Sequence, residues 1–192
     1  VVGTLGEADH RIAAASWNAN GSCIATGTYD RRAYVWDVGS GALLHDFDRH
    51  QAAVVAIAFL GKDILATSAW DRTLRLWHLT TGEQLLLAEA GLIGTSRDGR
   101  LLGLKTNDSI IVQEFLHGDV LMQLGRNGGL GVRSLDLSPD GRFAAVGRAD
   151  GLHIWSLATG ERVDGRALKD VEAVRFDQEH QLYTGSPTGI AR

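Results

Sequence analysis

Apolar residues along this chain fall in short runs broken by polar turns, and no segment carries a sustained 3.6-residue stripe. Between residues 49 and 89 the runs are 54–59, 64–68, 73–79 and 84–87, each bounded by Gly, Asp, Asn or Ser. Runs of this length predict strands, because a helix usually needs about ten residues or more. In the third run, alternation places Leu74 and Leu76 on one face and Trp77 and Leu79 on the other. A sheet apolar on both faces has to be covered twice. A ring of small antiparallel sheets stacked face to face provides that cover and leaves only short edges open.

The pattern repeats. Tyr34-Val35-Trp36-Asp37, Leu76-Trp77-His78, Val112-Gln113-Glu114 and Ile154-Trp155-Ser156 align, with the marker position at Trp36, Trp77, Gln113 and Trp155. The separations are 41, 36 and 42 residues, and the glycines Gly41, Gly82, Gly118 and Gly160 repeat with the same three separations. A second register lies earlier in each unit, where an apolar run ends at a polar turn: Trp17-Asn18, Phe59-Leu60-Gly61, Ser96-Arg97-Asp98-Gly99, Ser138-Pro139-Asp140-Gly141 and Phe176-Asp177. Two registers that agree across four units establish an internal repeat with a period near forty.

The Trp36-Asp37 pair, its Trp77-His78 and Trp155-Ser156 variants, and this period resemble WD40-repeat β-propellers. The resemblance implies an all-β segment of about four and a half four-stranded blades. The blades run 7–48, 49–89, 90–126 (degenerate) and 127–166, with a last strand of a preceding blade at 1–6 and a partial blade at 167–192. It also implies a buried hydrogen-bond network of His50, Thr67, Asp71 and Trp77 in the second blade. Thr26, Asp30 and Trp36 represent that network in the first blade, where His10 lies two positions too close to Trp17, and Trp155 in the fourth. Asn107 and Gln113 replace the expected Asp and Trp in the third. Propellers close with about four to eight blades, so a segment of a larger ring is expected, with exposed apolar blade faces. The repeat phrase 134–142 and the preference for Arg over Lys further resemble arrays appended to large bacterial signalling proteins, including Ser/Thr protein kinases.

Composition narrows the function classes. Lys+Arg of 19 against Asp+Glu of 23 gives a net charge of −4, which leaves no broad basic field for nucleic acid or an anionic membrane. The longest apolar run, 52–60, is far shorter than the ~20 residues of a spanning helix. Residues 1–6 show no basic segment leading into an apolar one, so no signal peptide is read and a cytoplasmic protein is expected. The single cysteine, Cys23, lies in an apolar run and is expected to be a small core residue. His45, His117, His153 and His180 lack metal-ligand spacing. No phosphate loop, nucleophile elbow or His-Glu-x-x-His helix is present. Neither a cofactor nor catalysis is expected, and the turn aspartates Asp30, Asp71 and Asp150 are read as caps.

The aromatic residues divide. Trp36, Trp77 and Trp155 are repeat markers, and Trp17, which matches Phe59, is expected in the core. Tyr29 and Trp70 each stand one residue before a turn aspartate. In WD40 proteins that loop lies on a face where partners dock. They are candidate anchors, joined on the same rim by Arg49, Gln51, Arg126 and Arg148; the alternative is that both rings pack over neighbouring blades. The expected function is a non-catalytic scaffold for a protein or peptide, acidic or phosphorylated. A propeller enzyme holding a small ligand in its channel and a purely structural spacer are the rival readings.

Overall fold

Each apolar run forms a strand, and each polar break forms the turn that reverses it. The computed structural model describes residues 11–107, 109–115, 120–124, 131–164, 168, 170–187 and 189–191. The chain divides into two units, 1–92 and 93–192. The segment 1–6, His10, His117 and Arg126 lie outside the described residues.

In the first unit, β1 (Ile12–Trp17), β2 (Cys23–Thr28), β3 (Ala33–Asp37) and β4 (Leu43–Phe47) form one antiparallel meander. β5 (Val54–Leu60), β6 (Ile64–Ala69), β7 (Leu74–His78) and β8 (Gln84–Ala88) form another. Further along the chain, β9 (Gly91–Thr95), β10 (Leu101–Lys105), β11 (Ile110–Glu114) and β12 (Val120–Leu124) make a third sheet. β13 (Val132–Leu137), β14 (Phe143–Arg148), β15 (Gly151–Ser156) and β16 (Arg162–Asp164) make a fourth. The last sheet has three strands, β17 (Ala173–Phe176), β18 (Leu182–Ser186) and β19 (Gly189–Ala191). No helix occurs among the described residues.

The repeated marker has a backbone cause. In each four-stranded sheet the pairing of the third and fourth strands shifts register immediately before it, at Val35/Trp36, Leu76/Trp77, Val112/Gln113 and Ile154/Trp155. A bulge there twists the outer strand. The turn that follows closes through Gly41 N–H to Asp37 O, Gly82 N–H to His78 O and Gly160 N–H to Ser156 O, at 2.8–2.9 Å. These glycines hold φ of 70–73°, a left-handed conformation that a Cβ disfavours.

Within the first unit the core lies between the two sheets. Val35 and Phe47 meet Val54, Ile57, Leu65 and Trp77, with the Phe47 and Trp77 rings stacked 4.4 Å apart. Backbones approach closely at Gly27, where an added Cβ would stand 2.7 Å from Val54 O and 2.8 Å from its Cγ1. The second unit repeats the fit: at Gly147 a Cβ would meet Val171 Cγ1 at 2.9 Å. The outer strands β4 and β8 are less covered, and Leu43, Leu44, Leu85, Leu86 and Leu87 are exposed. Trp17 corrects its expected core position. It ends β1, where the chain leaves the sheet for the Asn18–Gly21 turn, and is 56% exposed, whereas Phe59 packs against the core.

Gly27→Ala is expected to cost about 1–3 kcal/mol, because a backbone oxygen would have to move. Gly185→Ala, whose Cβ would meet only Ala173 Cβ at 3.5 Å, should be near neutral. Chemical denaturation of the two variants checks the contrast.

Candidate interaction site

The second sheet carries a continuous polar chain through its interior. Trp77 Nε1–H donates to Thr67 Oγ1 at 2.8 Å. Thr67 Oγ1 lies 2.8 Å from His50 Nε2, and His50 Nδ1 lies 2.9 Å from Asp71 Oδ2. The Asp71 carboxylate can only accept, so the neutral imidazole carries its proton on Nδ1, and its bare Nε2 accepts from the Thr67 hydroxyl, which in turn accepts from the indole. Thr73 Oγ1–H donates to Asp71 Oδ1 at 2.7 Å, and the backbone N–H groups of Gln51 and Thr73 donate to the same carboxylate. Thr73 was not legible as a member; its only signal is its place two residues after a turn aspartate.

Burial is the largest influence on Asp71 and opposes its ionisation. The hydrogen bonds from Gln51, Thr73 and His50 together outweigh it and bring the carboxyl down to about 2. Burial also dominates at His50 and lowers its pKa, with Asp71 opposing, so the imidazole is neutral at pH 7. The 1% and 8% exposure of the two side chains fits a dry hydrogen bond rather than a surface ion pair.

The other sheets reproduce this chain in part. In the first, Trp36 Nε1–H reaches Thr26 Oγ1 at 3.3 Å, and Asp30 takes hydrogen bonds from Thr28 and from the Tyr34 hydroxyl. In the fourth, Ala144 pairs with Trp155 as Leu65 pairs with Trp77, so Val146 occupies the place of Thr67. Trp155 Nε1 is accordingly buried without a hydrogen-bond partner among the described residues. Asp150 sits on a tighter hairpin and meets His153 Nε2 at 3.1 Å and Arg148 Nε at 3.4 Å.

Directly outside the Asp71 network lies an exposed aromatic pair. Tyr29 and Trp70 meet edge to face with ring centroids 5.7 Å apart, at 42% and 64% exposure. Their turns are built alike: Tyr29 N–H donates to Arg11 O, and Trp70 N–H to Ala53 O. The Arg11 guanidinium stands 4.7 Å over the Tyr29 ring. Arg49 and Gln51 are exposed on either side of buried His50, and Gln51 N–H is held by Asp71. Tyr29, Trp70, Arg49 and Gln51 therefore belong to one unit. Arg148 lies in the second unit.

That second unit also has a cleft of about 570 Å³ at the ends of the first strands, lined by Thr95, Arg97, Asp136, Pro139 and Arg175 among others. Asp136 forms part of its wall and accepts Phe176 N–H at 2.7 Å, and burial raises its pKa. Among the described residues no group of three His, Cys, Asp or Glu side chains is disposed to hold a metal, and no helix is long and apolar enough to cross a membrane.

Thr67→Val keeps the volume but strands the Trp77 N–H and His50 Nε2, and should lower the unfolding free energy by about 2–4 kcal/mol. Val146→Thr offers Trp155 Nε1 an acceptor and should raise it by no more than about 1 kcal/mol. Acid should also loosen the fold in two legs. As pH falls below about 6.5 the unfolded chain protonates its histidine before buried His50 does, and stability declines. Asp71 adds its stabilisation only above its unfolded value near 4, and roughly 2 kcal/mol is lost as pH falls towards its folded value of about 2. Unfolding midpoints measured across this pH range check both legs, and a flat profile would count against the network.

The sequence profile of the WD40 family, described as WD domain, G-beta repeat, matches residues 1–37, 41–78 and 119–156. The chain is 28% identical over 167 residues to pre-mRNA-processing factor 19 homolog 2 of Arabidopsis thaliana, covering 82% of this chain and 32% of that protein. It is 27% identical over 189 residues to the angio-associated migratory cell protein of Homo sapiens, covering 90% and 43%. A shorter match, 48% over 44 residues, is to dynein assembly factor with WD repeat domains 1 of Danio rerio, covering 23% and 11%. The chain spans less than half the length of each of these relatives. With three repeats matched over more than half of its residues and a polar chain from tryptophan through threonine and histidine to aspartate in its second sheet, the chain belongs to the WD40-repeat family.

Proposed function

We propose that this chain is a non-catalytic interaction scaffold that takes a protein or peptide segment on the rim carrying Tyr29 and Trp70, with Arg49 and Gln51 beside them. The observation that carries the reading is the exposed ring pair standing on turns fixed from below. Trp70 is 64% exposed, yet the next residue, Asp71, is held by Gln51, Thr73 and His50. Large aromatic side chains next to arginine are the usual composition of binding hot spots. A rigid platform also reduces the ordering entropy lost on association. The name of one relative, a dynein assembly factor, agrees with a protein that acts on other proteins. Arg49, beside the rings, favours an acidic or phosphorylated segment.

Peptides selected against the chain from a random library should lose about tenfold or more in affinity for Trp70→Ala, while the unfolding midpoint stays within about 2 °C of the parent, as for a surface substitution. Equal loss of binding and of stability would assign Trp70 to the core instead.

A further inference from the structure

The two turns that carry the ring pair share an unusual backbone feature. Arg31 and Arg72, each two residues after its ring, hold φ of 76° and 66°. The left-handed region favours glycine, and arginine gains nothing from it locally, having no short polar group to bond its own backbone. Both turns nonetheless place an arginine there, at the same offset, and both side chains are exposed. The edge-to-face contact of Tyr29 and Trp70 sets these turns side by side, so both arginines stand on the turns that carry the exposed aromatic patch.

The carboxylates nearby are largely committed. Asp71 is buried in the His50 network, Asp30 meets Thr28 and Tyr34, and Asp46 pairs with Arg32 at 2.6 Å. Asp48 is exposed beside Arg49. Among the described residues no carboxylate lies within ion-pair range of Arg31, Arg49 or Arg72.

We infer that Arg31 and Arg72 make this rim selective for an acidic peptide segment, in which carboxylates flank an apolar residue seated on Tyr29 and Trp70. The inference rests on the docking reading above and specifies its ligand. Carboxylates fit better than a phosphate group. A phosphate is best held by several donors converging on one point, whereas these arginines stand on separate turns and each can meet one carboxylate through its planar fork. Charge of this kind sets selectivity and salt dependence more than shape does.

The test uses the full chain and labelled synthetic peptides read by fluorescence anisotropy: Glu-Glu-Phe-Glu-Glu, the same peptide with Gln for every Glu, and the Gln peptide with one phosphoserine. The Glu peptide should bind about tenfold or more tightly than the other two, and added salt should erase the difference. Arg31→Gly and Arg72→Gly should each weaken the Glu peptide by about tenfold and leave the Gln peptide unchanged. Their unfolding midpoints should stay level or rise, because glycine is at ease at these φ values. Failure of the Glu peptide to bind, equal binding of the Glu and Gln peptides, preference for the phosphoserine peptide, or indifference to both glycine variants would overturn the inference. Library-selected peptides separate the two readings. If they lose affinity for Trp70→Ala but not for the glycine variants, docking stands and acid selectivity falls. If they ignore Trp70→Ala, the docking reading itself falls.

Discussion

A four-stranded sheet with apolar side chains on both faces is stable only while another sheet lies against each of them. In the first unit the two facing sides of its sheets meet at short range. Val54 reaches the backbone of Gly27 so closely that no side chain fits between them, and Phe47 stacks on Trp77 across the same seam. The second unit uses the same device, with Val171 against Gly147. The chain therefore needs glycine on an inner strand, where strand propensity alone would not select it.

The polar network is built on this packing and depends on it. The Thr67 hydroxyl serves two partners at once, accepting from the Trp77 indole and donating to His50, and both bonds run through a region closed to water. In such surroundings a satisfied group adds rigidity and an orphaned one is costly. The outer end of the network is Asp71, the residue that fixes the Trp70 turn and the Gln51 backbone. Interior order is thereby passed to the surface in a few hydrogen bonds. In the fourth sheet, with Val146 at the hub, the Trp155 indole stays in place by packing alone.

Much of this was legible in the sequence, and for identifiable reasons. Strand limits followed from apolar alternation; 64–68 and 84–87 became Ile64–Ala69 and Gln84–Ala88. His50, Thr67, Asp71 and Trp77 were named from the family resemblance, and the hydrogen bonds join all four. What a repeat encodes is the backbone turn, not the partner of each side chain. Asp30, Asp71 and Asp150 stand at the same turn of their sheets yet meet Tyr34, His50 and His153 respectively. The bulge before each marker tryptophan, the left-handed arginines and the exposure of Trp17 depend on φ and on neighbouring strands, which residue identity does not specify. Arg31 and Arg72 left only a shared distance from an aspartate as a signal.

The close fit at Gly27 and Gly147 also bears on how such a chain accumulates change. Every single-step replacement of a glycine codon adds a Cβ, and at position 27 any Cβ collides with a main-chain oxygen. No first mutation there is silent to the fold, and compensation would have to move a whole strand. The outer strands β4 and β8, with their exposed leucines, meet no comparable barrier. Tolerance to substitution is therefore greatest at the outer strands: the seam between sheets has no room for an added side chain, while the margins can be remodelled without altering how the sheets nest.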